Sequence, residues 1–70
     1  MRITDAKSFG DAIRQRRRQL KYTQAYISEF SGFSVSFISD LERGKSTAEL
    51  GKALYLANLL GMDIDLAPRG

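Results

Sequence analysis

Apolar residues recur along this chain in short runs at helical spacing, broken by glycines and by small hydroxylated residues. Phe9, Ile13 and Leu20 share one stripe at separations of four and seven, which predicts a first helix ending near Leu20 or Lys21. Ser8 opens it, because Ser8-Phe9-Gly10-Asp11 has the form of a capping box with a shortened acid. Arg16 and Arg17 flank the stripe, while Arg14 and Arg18 point away from it. Thr23 is a good N-cap for a second helix, with Ala25, Ile27 and Phe30 as predicted buried positions. Gly32 stands where left-handed backbone closes that helix. Ser34 caps a third, running to about Glu42 or Arg43 and ended by Gly44. Ser46-Thr47-Ala48-Glu49 reads as a capping box for a fourth helix, whose core stripe is Leu50, Leu54, Ala57 and Leu60. Tyr55, Leu56 and Leu59 extend its apolar surface, and Gly61 stops it.

Beyond Gly61 the period changes. Met62-Asp63-Ile64-Asp65-Leu66-Ala67 alternates apolar and acidic residues, the pattern of a short half-buried strand. Met62, Ile64 and Leu66 take one face, Asp63 and Asp65 the other. A lone strand in a helical chain has no ladder partner and leaves an open edge. Pairing with the same segment of a second copy satisfies both backbones, so the expected assembly is a homodimer clasped by Met62, Ile64 and Leu66.

Seventy residues, with no internal repeat, make one domain spanning 1–70. A chain this short buries a modest core and often relies on a disulfide, a metal or a partner. It has no cysteine and no histidine, which removes disulfides and the usual zinc ligand sets, so no metal or cofactor is expected. Oligomerisation is the stabiliser left. No apolar signal core and no membrane-length run are present, and the lack of cysteine fits a reducing compartment. The expected location is the cytoplasm, at the nucleoid.

The net charge of +3 and pI near 9.6 are unevenly distributed. Residues 1–45 hold nine Lys/Arg against five Asp/Glu, and residues 46–70 hold two against three. The densest block, Arg14 to Lys21, has the charge to neutralise phosphates and release counterions. An enzyme is not expected: there is no histidine, no glycine-rich phosphate loop and no paired acid site. The serines between 28 and 46 have no evident base beside them and serve better as caps and groove contacts.

Two short helices around Gly32, the second polar on its outward side, suit the major groove of DNA. On that second helix Ile38 and Leu41 lie together, and Val35, Ser36, Ser39 and Asp40 fan over the other side. Ser34, Val35, Ser36 and Ser39 are the candidate base contacts: valine can meet a thymine methyl, and the serines can make single hydrogen bonds. These groups discriminate weakly, so part of the readout is expected to come from DNA shape, loops or the N-terminal arm. Arg43 and Lys45 follow the helix as backbone clamps. Asp40 is left out of the contact set, since an acid near phosphates is repulsive unless it meets a cytosine amine or pairs with a neighbour such as Arg43.

From about Phe9 to Leu60, roughly three quarters of its length, the chain resembles the lambda-repressor-like, Cro/cI (Xre) helix-turn-helix family. The carrying residues are Arg17, Thr23-Gln24, Ile27, Gly32, Ile38 and Leu41-Glu42-Arg43-Gly44-Lys45. The resemblance implies an all-α, four- to five-helix DNA-binding domain with its helix-turn-helix at about 23–43. It also implies that Gln24 grips a phosphate. Arg17 and Glu42 match a family pair forming a largely buried salt bridge, with Arg17 also placed to touch a phosphate; the helical wheel alone leaves Arg16 as a competing partner. One departure is Lys21, where many relatives carry glycine between the first two helices.

Within that family, the segment from Lys45 to Lys52, Leu60-Gly61-Met62 and the ensuing Asp-Ile-Asp-Leu is similar to HipB-type antitoxins. That narrower resemblance implies a dimer joined by its C-terminal strands at about 62–67, repression of its own operon at a palindromic operator, and binding of a HipA-type serine/threonine kinase toxin. A stand-alone phage-type or restriction-control repressor is the alternative within the DNA-binding class. A protein-interaction module with weak DNA binding is the alternative outside it.

Overall fold

A computed structural model of the protein describes residues 2–70. Among these the chain forms four helices: α1 (Ala6–Gln19), α2 (Gln24–Ser31), α3 (Val35–Glu42) and α4 (Leu50–Leu59). α1 and α2 both pack on α3. Ile13, Ile27, Ile38, Leu41, Ala53, Leu56, Ala57 and Leu60 are buried together, so every helix contributes to one core. Each large side chain buried there contributes roughly 1.5–3 kcal/mol, and only five are fully enclosed. The core is small, and single polar contacts consequently matter.

Two helix starts differ from the sequence expectation. α1 begins earlier, with Asp5 as N-cap: its carboxylate accepts from the Ser8 N–H at 2.8 Å. Ser8 sits at the third helical position and returns the favour, its Oγ accepting from the N–H groups of Thr4 and Asp5 at 2.9 and 3.1 Å. The Ser8 amide and hydroxyl hold the Asp5 carboxyl below its usual range. Asp11, freed from capping, instead pairs with Lys7 one turn back at 2.8 Å. α4 starts after Glu49, which makes no side-chain cap, and Ser46 to Ala48 form a turn instead of a capping box.

Burial also corrects two stripes. In α2 only Ile27 is enclosed; Ala25 is exposed, and Phe30 meets Tyr22 and Tyr26 edge to face at the surface. In α4 the buried row is Ala53, Leu56, Ala57 and Leu60, whereas Leu50 is 69% exposed. α4 carries apolar residues nearly all round, so its phase is set by what it packs against.

α1 meets α3 backbone to backbone at Gly10. A Cβ there would stand 2.8 Å from the Glu42 carbonyl oxygen and closer still to that of Leu41. Glycine is thus required by close approach, and Arg17, two turns along the same face of α1, is carried to the C-terminal end of α3.

Three helices end in the same way. After α1, α3 and α4 the residue two beyond the last helical position adopts a left-handed backbone: Lys21 (φ 61°), Gly44 (φ 87°) and Gly61 (φ 77°). Each is followed by the pair of N–H bonds of a Schellman motif, Lys21 to Arg18 and Tyr22 to Arg17 in the first case. Gly61 and Met62 donate in the same way to Asn58 and Ala57. Lys21 is the one non-glycine, and its Cβ strains that turn by about 1–2 kcal/mol. Lys21→Gly should therefore stabilise the protein, after the entropy glycine adds to the unfolded chain, by about 0.5–1 kcal/mol. Thermal melting checks this; a lower melting temperature would show that the lysine side chain compensates for its backbone.

The C-terminal segment takes no secondary structure in the single chain. Met62 packs against the core, but residues 63–70 are exposed and form no strand. The physical reason is that a single extended segment has nothing to pair with among four helices.

Candidate nucleic-acid interface

Local backbone chemistry defines the helix pair. Thr23 Oγ1 accepts from the Tyr26 N–H at 3.0 Å to start α2, and Ser34 Oγ accepts from the Phe37 N–H at 3.0 Å to start α3. Between them Gly32 turns with φ 81°. Ser28 and Ser31 fasten this turn: Ser28 Oγ donates to the Phe33 carbonyl at 2.6 Å, and Ser31 Oγ accepts from the Phe33 N–H at 3.1 Å. Several serines of the 28–46 cluster are therefore structural.

Glu42 anchors α3 from beneath. It is 3% exposed, and Arg17 meets it in bidentate fashion, Nε to Oε2 at 2.7 Å and Nη2 to Oε1 at 2.9 Å. Arg17 Nη1 also donates to the Tyr22 carbonyl at 3.0 Å, joining α1, the following turn and α3. The bond to Glu42, more than the opposing desolvation, pushes the Arg17 guanidinium above its usual range. Arg16 is not the partner: its Nε caps the end of α4 by donating to the Leu60 carbonyl at 2.8 Å. With three donors committed and a side chain only 12% exposed, Arg17 serves the structural pair. Its expected reach to a phosphate finds no support in this geometry.

Gln24 has a role that the sequence did not reveal. Its Nε2 donates to Glu42 Oε1 at 3.2 Å, so it completes the coordination of the buried acid. Its amide oxygen is not part of that bond. Arg14 also approaches Glu42, at 3.9 Å, from an exposed position. Within the dense basic block Arg16 and Arg17 are thus turned to internal acceptors, while Arg14, Arg18 and Lys21 are exposed.

The opposite side of α3 is open. Ser34, Val35 and Ser36 are exposed and Ser39 is half-buried, while Ile38, Leu41 and Glu42 face inward. Ser34 Oγ is used as a cap, but its hydroxyl hydrogen remains to donate. At the C-terminal end Arg43 bridges Ser39 Oγ at 2.7 Å and Asp40 Oδ1 at 2.5 Å. Lys45 Nζ lies 3.5 Å from Asp40 Oδ2. The structure thus brings the four candidate base-contact residues, Arg43 and Lys45 onto one surface, with Asp40 among them.

Comparison with known proteins agrees with this arrangement. A family profile described as Helix-turn-helix matches residues 13–66. The chain is 35% identical over 69 residues to the uncharacterized HTH-type transcriptional regulator y4mF of Sinorhizobium fredii, covering 99% of this chain and 91% of that protein. In fold it is similar to HipB as seen in an O2 20mer complex (TM-score 0.88, 20% identity, covering 100% of this chain and 97% of the other). It is equally similar to HipB in an O4 20mer complex (TM-score 0.88, 18% identity, covering 100% and 99%). On the matched span and the y4mF identity, this chain belongs to the helix-turn-helix family.

Proposed function

We propose that this protein is a sequence-specific DNA-binding transcriptional repressor that acts as a homodimer, in the manner of a HipB-like antitoxin that represses its own operon and holds a HipA-type kinase toxin. The observation that carries the DNA-binding reading is the outward row of exposed Ser34, Val35 and Ser36 with half-buried Ser39, on a helix capped at its start and tied from below by Arg17 and Glu42. A rigid helix with a polar open face, flanked by Arg43 and Lys45, is what groove recognition requires. The HipB-like reading is supported by likeness of fold along the whole chain, including the C-terminal segment.

In this reading Ser34, Val35, Ser36 and Ser39 meet base edges. Arg43 and Lys45 engage phosphates, and Gln24 does so through the second N–H of its amide or after release from Glu42. The apolar residues Ile3, Ile64 and Leu66 are uncovered in the single chain, Leu66 at 93%. Pairing of residues 62–67 between two copies covers them and sets the recognition helices about one DNA turn apart, roughly 34 Å, as a palindromic operator requires.

Retardation of the gene's own promoter fragment over a salt series tests the reading. A dimer engaging on the order of six phosphates should give a log–log slope near about −5. Arg43→Ala or Lys45→Ala should weaken all sequences alike and flatten the slope. Ser36→Ala or Ser39→Ala should instead shift preference among sequences. Absence of retardation even at low salt would leave the interaction-module reading in place. Capture of a kinase encoded beside the gene would favour the antitoxin over a stand-alone repressor.

A further inference from the structure

Asp40 stands where the proposed phosphate clamp has to open. Its Oδ1 lies 2.5 Å from Arg43 Nη2 and its Oδ2 3.5 Å from Lys45 Nζ, so each oxygen faces one of the two cations assigned to the DNA backbone. The backbone enforces this meeting. The Schellman turn after α3 places the Lys45 N–H on the Asp40 carbonyl at 3.0 Å, and the Arg43 N–H bonds the Ser39 carbonyl at 3.1 Å. Both cationic residues therefore leave the chain within one turn of the carboxylate. Asp40 is the held partner, with a side chain 29% exposed against 69% for Arg43.

The nearby acids are occupied elsewhere: Glu42 by Arg17, Asp11 by Lys7 and Glu49 by Lys52. Asp40 alone faces the open surface of α3 with the clamp residues around it. A carboxylate and a phosphodiester offer guanidinium and ammonium groups the same chemistry, two anionic oxygens in hydrogen-bonding range.

We infer that Asp40 is an internal stand-in for a DNA phosphate, which occupies Arg43 and Lys45 in the free protein and must be displaced before they reach the backbone. The inference rests on the DNA-binding reading above. Displacement exchanges one anion for another and leaves the Asp40 carboxylate unpaired beside DNA, so it lowers affinity for every sequence by the same factor. Exposed ion pairs are individually weak, which sets the effect at about threefold per protomer and about tenfold for a dimer on DNA. Asp40 then governs the strength of binding and Ser34, Val35, Ser36 and Ser39 its selectivity.

The experiment compares the full-length wild type, Asp40→Asn, the pair Arg43→Gln with Lys45→Gln, and all three substitutions together. Each is titrated against the promoter fragment and a scrambled duplex between about 50 and 200 mM salt. Asp40→Asn should tighten both duplexes by about tenfold and steepen the salt dependence. That gain should vanish where Arg43 and Lys45 are already glutamine, which separates release of the clamp from the mere loss of a negative charge. The inference is overturned if the gain persists without the two cations, or if Asp40→Asn changes neither duplex. It is overturned equally if only the promoter fragment weakens, since Asp40 would then be accepting from a base. If neither wild type nor Asp40→Asn retards either duplex at any salt, both the inference and the DNA-binding reading fall; circular dichroism confirms that each variant is folded.

Discussion

Glu42→Ala is expected to lower stability by about 3–5 kcal/mol, because it strands Arg17 without its counter-charge in a site that is nearly closed to water. Removal of the carboxylate orphans more than one group. Arg17 Nε and Nη2 lose their acceptors, and Gln24 Nε2 loses its own. Arg17 cannot respond by shedding its proton, since arginine stays charged in proteins even without a partner. The pair also spans elements: it joins α1 to α3 directly beside the Gly10 contact, where the two backbones touch. Small domains have total stabilities near the low end of about 5–15 kcal/mol, so the loss is a large fraction of the whole. Thermal and urea unfolding of Glu42→Ala and Glu42→Gln measure it, the glutamine retaining shape and one acceptor and falling between alanine and wild type. An unchanged melting temperature for the alanine variant would mean that the pair is solvated in solution.

Loss of the C-terminal segment is expected to have the largest effect on DNA binding without touching a DNA contact. Truncation after Gly61 should give monomers, a lower melting temperature and much weaker operator binding, because a palindrome is held by two linked half-site contacts. Met62 complicates that truncation. Its side chain packs on the core and its N–H completes the turn after α4 at 3.0 Å from the Ala57 carbonyl. A cut after Met62 keeps both features and removes only the exposed residues, so any stability lost there belongs to the interface. Leu66→Lys is the complementary point change, placing charge on a leucine that is 93% exposed in the single chain. Sedimentation and promoter retardation provide the readouts. A protein cut after Met62 that stays dimeric and binds its promoter normally would place the dimer contact elsewhere.

The helix-turn-helix boundaries were legible because each rests on a local requirement of the backbone. Thr23 and Ser34 offer an oxygen to the first N–H groups of their helices, and Gly32 and Gly44 adopt left-handed conformations that side chains resist. The turn at Lys21 could be flagged on the same ground. The starts of α1 and α4 differ from the sequence expectation for a related reason: several residues near each can serve as a cap, and sequence does not rank them. At α1 Asp5 and Ser8 cap each other reciprocally, so the helix begins one turn before the serine. At α4 the Ser46 to Glu49 pattern looks like a cap, yet residues 46–48 form a turn that carries the chain away from α3.

Local conformations, the inward row Ile38 and Leu41 on α3 and the polar row opposite them follow from the residues and their spacing. Which groups meet across elements depends on how the helices dock. Periodicity gives the face of a residue to within about a residue step, or one hundred degrees, and adjacent arginines both border the stripe of α1. The close approach at Gly10 resolves them, sending Arg17 to Glu42 and leaving Arg16 for the end of α4. The same docking buries Leu56 and leaves Leu50 in solvent, because a helix apolar on most sides takes its inward face from its neighbours. It also gives Gln24 and Asp40 their partners, since a hydrogen bond between distant segments depends on positions to a few tenths of an ångström, which residue spacing along one helix does not contain.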